Sequence, residues 1–207
     1  MCYIKKYLIF ILLLNLINCN LSNKNKNSDQ DDAIISSLDS NQKQAFIFFK
    51  DLVKNKQYSK DFDQAVEGEE GPLESLKAQI EELKKKNEQY IELQNKLDQG
   101  FNCDYDDSKM KKLFDELGND NVKKFLQQLH LVLKAINDGT HISFTSSNLT
   151  QTTKTLSEKQ EIVLDVTKRN LYVQFYFYSN NLYREGYTSA GYFFNEVMEY
   201  HLAMDNY

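Results

Sequence analysis

Reactive chemistry in this chain of 207 residues begins with its three cysteines, one of which is set in a recognisable frame. Lys5 and Lys6 precede an apolar run from Tyr7 to Leu14, which continues through Asn15 to Leu16-Ile17-Asn18-Cys19. The stretch that follows, from Asn20 to Asp29, is Asn, Lys, Ser and Asp with a single Leu. A charged start, a short apolar stretch and a cleavage site ending at cysteine make an export signal of the bacterial lipoprotein type. The chemistry would be a thioether from the Cys19 sulfur to a diacylglyceryl group. Cleavage before Cys19 then frees an amine for a further acyl chain. Residues 1–18 are expected to be the signal peptide, and 19–32 the lipidated cysteine and its tether. The run from Tyr7 to Ile17 is 11 residues, whereas a membrane-crossing helix needs about 20. A permanent transmembrane anchor is therefore disfavoured. The stronger rival is an ordinary secretory signal cut near Asn18 or Asn20, because Asn18 stands where Gly, Ala or Ser is usual. A single acyl chain binds a membrane marginally, at about 0.8 kcal/mol per buried methylene, so firm anchoring takes more than one.

Other side chains offer less. Cys2 leaves with the signal, so Cys103 has no partner within the mature chain. It is either an inert, partly buried thiol or the site of an intermolecular disulfide joining two copies. His130, His141 and His201 show no i,i+4 pair of the helical zinc kind, and no metal site is expected. Asp104-Tyr105-Asp106-Asp107-Ser108 has the acids of a calcium loop. Its sixth position, however, is Lys109 where such a loop needs Gly, and its twelfth is Asp115 instead of Glu. It reads as a helix start whose dipole is complemented by acids. No phosphate-cradling glycine loop, nucleophile elbow or zincin motif occurs. The chain therefore reads as non-enzymatic with no cofactor, an exported hydrolase being the remote alternative. Lys84-Lys85-Lys86, Lys111-Lys112 and Lys123-Lys124 are solvated helix faces or, on an exported protein, contacts for polyanionic glycosaminoglycans. The tyrosine-rich segment from Tyr172 to Tyr192 is mostly core. If left exposed, Tyr172, Tyr176 and Tyr178 would form an interaction surface, being large, amphipathic and cheap to order.

The elements that would position these groups are helical. Residues 20–32 are too polar to build a core and read as a disordered tether, at most about 45 Å long if extended. A helical domain is expected over 33–207. Asp39 or Ser40 caps a helix carrying Ala45, Phe46, Phe49, Leu52 and Val53; a shorter one carries Phe62, Ala65 and Val66. Glu67 to Pro72 is the clearest breaker, and Pro72 suits the first turn of the next helix. There Leu73, Leu76, Ile80, Leu83, Asn87, Tyr90, Gln94 and Leu97 alternate three and four apart. This is a heptad seam flanked by the i,i+4 pairs Glu81/Lys85, Glu82/Lys86 and Glu92/Lys96. Asn87 and Gln94 dilute its core positions, which favours one long helix in an intramolecular bundle over a dimeric coiled coil. After a loop at 100–105, Asp107-Ser108 opens a helix closed by Gly118. Asn121 caps another that ends at Asn137-Asp138-Gly139, and residues 140–155 form a long loop. Ser157 with Gln160 reads as a capping box. Residues 171–178 have the alternation of a strand, but a strand without a partner leaves its ladder groups unsatisfied, so helix is expected. Ser189 opens the last helix, with Phe193, Val197, Tyr200 and Met204 on one side. The fold class predicted is all-α: a helical bundle with one long heptad-patterned helix behind a disordered tether.

Composition bounds the class of partner. Hydrophobic residues make up 41% and aromatics 13%, enough for a real core. Thirteen Phe and thirteen Tyr with no Trp, and Arg169 and Arg184 as the only arginines among 25 basic residues, point to an A/T-biased genome. The precursor carries −5, and loss of Lys5 and Lys6, the only charged residues of the signal, leaves −7. An acidic chain with scattered lysines is a poor nucleic-acid binder, which would need a basic face to neutralise phosphates.

The lipobox-like Leu16-Ile17-Asn18-Cys19, the Asn/Lys/Ser tether and lysine-rich helical segments such as Leu38 to Phe46 resemble plasmid-encoded outer-surface lipoproteins of Borrelia-type spirochaetes, in particular the multicopy-lipoprotein group. Tyr105 to Ile136, centred on Leu117-Gly118-Asn119-Asp120-Asn121-Val122-Lys123-Lys124, is similar to helical repeats of relapsing-fever spirochaete lipoproteins. The resemblance covers about half the chain. It implies an all-helical antigen held in the outer membrane by its N-terminal lipid and exposed at the cell surface. Its partner would be a host or vector protein; a glycosaminoglycan enters as a partner only through the lysine clusters, and a homodimer only through the heptad seam or Cys103. A periplasm-facing structural lipoprotein that binds another envelope component is the alternative. No catalytic residue is implied.

Overall fold

The computed structural model describes residues 31–140, 155–183 and 188–203. Cys19, the expected tether up to Gln30, most of the 140–155 loop with His141, and Met204 lie outside them. The chain divides into two units, Met1–Ile34 and Ile35–Tyr207, and the second holds the architecture below from the second helix onward. Among the described residues there are eight α-helices and no strand. They are α1 (Asp31–Ser36), α2 (Ser40–Lys54), α3 (Ser59–Glu67), α4 (Pro72–Lys86), α5 (Ile91–Gln99), α6 (Asp107–Asp138), α7 (Leu156–Ser179) and α8 (Ser189–Glu196). A single 3₁₀ turn, Lys56–Tyr58, joins α2 to α3, and a π-helical turn, Val197–His201, follows α8.

Caps explain where the helices begin. Asp39 closes a capping box with Gln42 at the start of α2. Pro72 opens α4, where its missing N–H costs nothing. The breaker before it is tight: a Cβ on Gly71 would stand 2.4 Å from the Val66 carbonyl oxygen, so only glycine fits. At α7 the capping box is Thr155 with Glu158, two residues before the predicted Ser157/Gln160 pair. Gln160 instead reaches across to α6, where its Nε2 donates to the Ile136 and Asn137 carbonyls and closes the helix end.

Two breaks shape the middle of the molecule. The heptad seam does not run as one helix, because Asn87 adopts the left-handed conformation (φ 56°, ψ 35°) and terminates α4. α5 then packs back as a separate short helix with no fully buried residue. The seam failed where it was polar, since exposed Asn87 tolerates that conformation better than an aliphatic would. Gly118 (φ 73°, ψ 160°) interrupts α6 where a helix end is predicted. Asn121, expected to cap the next segment, instead donates from Nδ2 to the Leu117 carbonyl across the break.

An aromatic junction forms the core. Phe49 of α2 meets Phe125 of α6 at 5.1 Å and Phe175 of α7 at 5.8 Å, both edge to face, and Phe193 of α8 at 6.2 Å. Phe125 and Phe193 also touch, at 5.7 Å. All four rings are fully buried, so α2, α6, α7 and α8 each give a ring to one contact. Each such burial contributes about 1.5–3 kcal/mol. Residues 171–178 are helical throughout, and α7 is the central strut of the bundle.

Candidate functional site

Tyr172, Tyr176 and Tyr178 are buried, at 0–1% exposure, so the interaction surface expected of them is not present. They lie on the two flanks of α7 that face α2, α3 and α6. The Tyr176 hydroxyl donates to the Val53 carbonyl at 2.8 Å, satisfying one of the open carbonyls at the end of α2. Tyr172 Oη and Tyr178 Oη are buried without a hydrogen-bond partner of regular geometry. Burial pushes all three phenols well above the usual tyrosine range.

Lys84, Lys85 and Lys86 are exposed at the end of α4, but two of them are engaged. Lys84 pairs with Glu81 at 3.0 Å and Lys86 with Glu82 at 2.6 Å. The first pair is i,i+3, not the predicted i,i+4 pairing to Lys85. Lys84 also caps the face of Tyr90 at 5.3 Å. Lys96 donates to the Asn181 carbonyl, docking α5 on the end of α7 instead of pairing with Glu92. Interleaved acids thus dilute the positive face that a polyanion would need.

Cys103 sits half-buried in the loop before α6 and is free. Burial pushes its thiol up, with the Tyr172 hydroxyl, Lys56 and Lys109 pulling the other way. A thiol raised by burial is less reactive than an exposed one. The loop is tied by Lys56 to the Asp104 carboxylate and by Lys109 to the Asp104 carbonyl. Asp106 caps α6, accepting from the Lys109 amide at 3.1 Å, as the acidic helix start predicts.

One set of described residues that converges on open space lies between α3 and α7. Asp61, Gln64 and Ala65 on one side and Arg169, Asn170, Val173 and Gln174 on the other line a cleft of about 390 Å³. Its geometry follows from helical spacing: 61, 64 and 65 share a face of α3, and 169, 170, 173 and 174 share a face of α7. Phe62 and Val66 turn the opposite way into the core. Small Ala65 leaves the hollow, and Ala65 with Val173 makes an apolar floor under a polar rim.

The charges at that rim are loosely held. Arg169 Nε stands 3.8 Å from Asp61 Oδ1, and Arg169 Nη2 stands 3.4 Å from Asp165 Oδ2. Charge-assisted pairs close to about 2.7–2.9 Å when fully formed. Asp165 is anchored from behind, its Oδ1 accepting from Tyr58 Oη at 2.7 Å. Burial, and then that bond, pushes Tyr58 up to about 12. Gln174 is fixed as well: Tyr183 Oη donates to its carbonyl oxygen at 3.0 Å and to its Oε1 at 2.5 Å, while its Nε2 lies 3.4 Å from His201 Nε2.

Compared with known proteins, the chain matches no family model and no curated protein. Its functional groups must be read from their own geometry. Among the described residues no three His, Cys, Asp or Glu side chains converge as a metal site. Sequence reasoning passed over Arg169 as a compositional detail. The signal that could have found it was its rarity: an arginine in a lysine-rich chain, i,i+4 from Asp165.

Proposed function

We propose that this protein is a lipid-anchored outer-surface lipoprotein, non-enzymatic, that acts by contact with a host or vector component. The observation that carries the reading is the frame around Cys19: a dibasic start, a short apolar run, Leu16-Ile17-Asn18 before the thiol and a polar stretch after it. The resemblance to spirochaetal surface lipoproteins supports outward display. The all-α unit from Ile35 onward supports it in kind, since helices with charged outer faces suit a body held in water at the end of a tether. Among the described residues no helix is long and apolar enough to cross a membrane. A protein partner is preferred to a glycosaminoglycan because Glu81 and Glu82 engage two of the three lysines of the α4 cluster.

The test is metabolic labelling with a palmitate analogue in wild type and Cys19→Ser. Label in the wild type alone is the expected result; equal label in both eliminates the anchor. Protease shaving of intact cells then decides display. Survival of the protein while known surface proteins are digested overturns outward exposure.

A further inference from the structure

We propose that the α3–α7 cleft is a binding site for small zwitterionic α-amino acids. Such a site goes beyond the anchoring reading and does not depend on it.

Three features select this ligand. The first is the pairing of unlike charges across the rim. Arg169 is 41% exposed and Asp61 33% exposed, and their 3.8 Å separation leaves each with unused hydrogen-bonding capacity. A guanidinium has five N–H donors and binds a carboxylate through two at once. A simple anion reaching Arg169 would meet Asp61 and Asp165, and a simple cation reaching Asp61 would meet Arg169. A molecule carrying carboxylate and ammonium on one carbon satisfies both sides: its carboxylate on the outer edge of Arg169, its ammonium against Asp61.

The second is the fixed amide. Gln174 is oriented by Tyr183 and His201 before any ligand arrives, and Asn170 and Gln64 flank it along the rim. Preorganised polar groups around a ligand reduce the ordering cost of binding. The third is size. A volume of about 390 Å³ lies near the bottom of the range for small-molecule sites. The Ala65–Val173 floor has room for a short aliphatic side chain and none of the aromatic faces on which a sugar ring would stack.

The experiment uses the full chain in detergent micelles, isotope-labelled for amide correlation spectra and titrated with L-alanine. Saturable shifts of the Asn170 and Gln174 side-chain amides in the millimolar range are expected. Acetate and methylammonium, which each carry half of the ligand's charge, should bind about tenfold more weakly or worse. Arg169→Gln and Asp61→Asn should each cost at least about tenfold in affinity. Arg169→Lys, which keeps the charge but loses the fork, should fall between. Ala65→Leu should fill the floor and abolish the shifts with the melting transition retained. Absence of a saturable response to L-alanine would overturn the proposal. So would acetate matching it, glucose producing the same shifts, or indifference to Arg169→Gln and Asp61→Asn in folded protein.

Discussion

Tyr172, Tyr176 and Tyr178 lie within two turns of α7 and are all fully buried, yet their hydroxyls have different fates. Tyr176 Oη closes a hydrogen bond to the Val53 carbonyl, whereas Tyr172 Oη and Tyr178 Oη have no partner of regular geometry. A buried polar group costs free energy unless bonded, and removing one half of a buried bond leaves the other half unsatisfied. The same chemical change should therefore have effects of different size at neighbouring sites. Tyr176→Phe is expected to destabilise the fold by about 1–3 kcal/mol, since it orphans the Val53 carbonyl. Tyr172→Phe and Tyr178→Phe should cost less, from nothing to about 1 kcal/mol, since their hydroxyls meet only Cys103 and Glu116 and without regular geometry. Urea unfolding of the three variants measures this. Equal destabilisation in all three would show that Cys103 and Glu116 hold these hydroxyls as firmly as the Val53 carbonyl holds Tyr176.

At the scale of elements, the two backbone breaks differ in kind. Gly118, at φ 73° and ψ 160°, occupies a region essentially closed to residues with a Cβ. Asn87, at φ 56° and ψ 35°, occupies the left-handed well that asparagine visits routinely. Gly118→Ala is expected to cost about 1–3 kcal/mol through backbone strain alone, because no atom stands within 4 Å of the added methyl. Asn87→Gly should cost nothing or stabilise slightly. Chemical denaturation reads both, and a neutral Gly118→Ala would mean that α6 straightens instead of straining. These breaks also show what the sequence discloses. Gly118, Gly139 and the Gly68–Pro72 stretch announce themselves, because glycine and proline act on the backbone directly and need no tertiary context. The Asn87 turn was hidden by a seam whose three-four spacing persists to Leu97. The packing of α5 back toward α7, through Lys96 on the Asn181 carbonyl, completes the turn that Asn87 permits. The strand-like alternation at 171–178 was outweighed by the lack of a partner strand, and the expected helix is what forms: its aromatic content reports burial on both flanks of a central helix, not the period of a sheet. The cleft was the least legible feature, since Asp61 and Arg169 come from helices far apart in sequence.

For the whole molecule, the titrating groups set a stability profile with limbs of different origin. His201 is pushed below the usual histidine range by burial, with Glu196 opposing, and its neutral ring accepts from the fixed Gln174 amide. A depressed histidine means that the unfolded chain takes up its proton first. Its contribution is present above about pH 6.5 and is lost as pH falls toward the folded value. Asp104, Asp106, Asp107 and Asp138 are held low mainly by hydrogen bonds from Lys56, Ser108, Lys50 and Lys134. Their contributions are lost only below about pH 4. The acid limb should therefore fall in two stages, and His201→Gln should remove the first. The alkaline limb is collective. Tyr58, Tyr105, Tyr172, Tyr176, Tyr178 and Tyr183 are all raised, chiefly by burial, so the unfolded chain releases these protons while the folded one keeps them. Stability is then intact below about pH 10 and drops above it, each tyrosine adding roughly 1.4 kcal/mol per pH unit to the slope. Urea midpoints across this range, with tyrosinate absorbance recorded on the same samples, check the sign and the cause together. Ionisation should coincide with unfolding. Tyrosinate appearing well before the helical signal is lost would mean that solvent reaches these phenols in the folded protein, and the aromatic core would then be looser than its geometry requires.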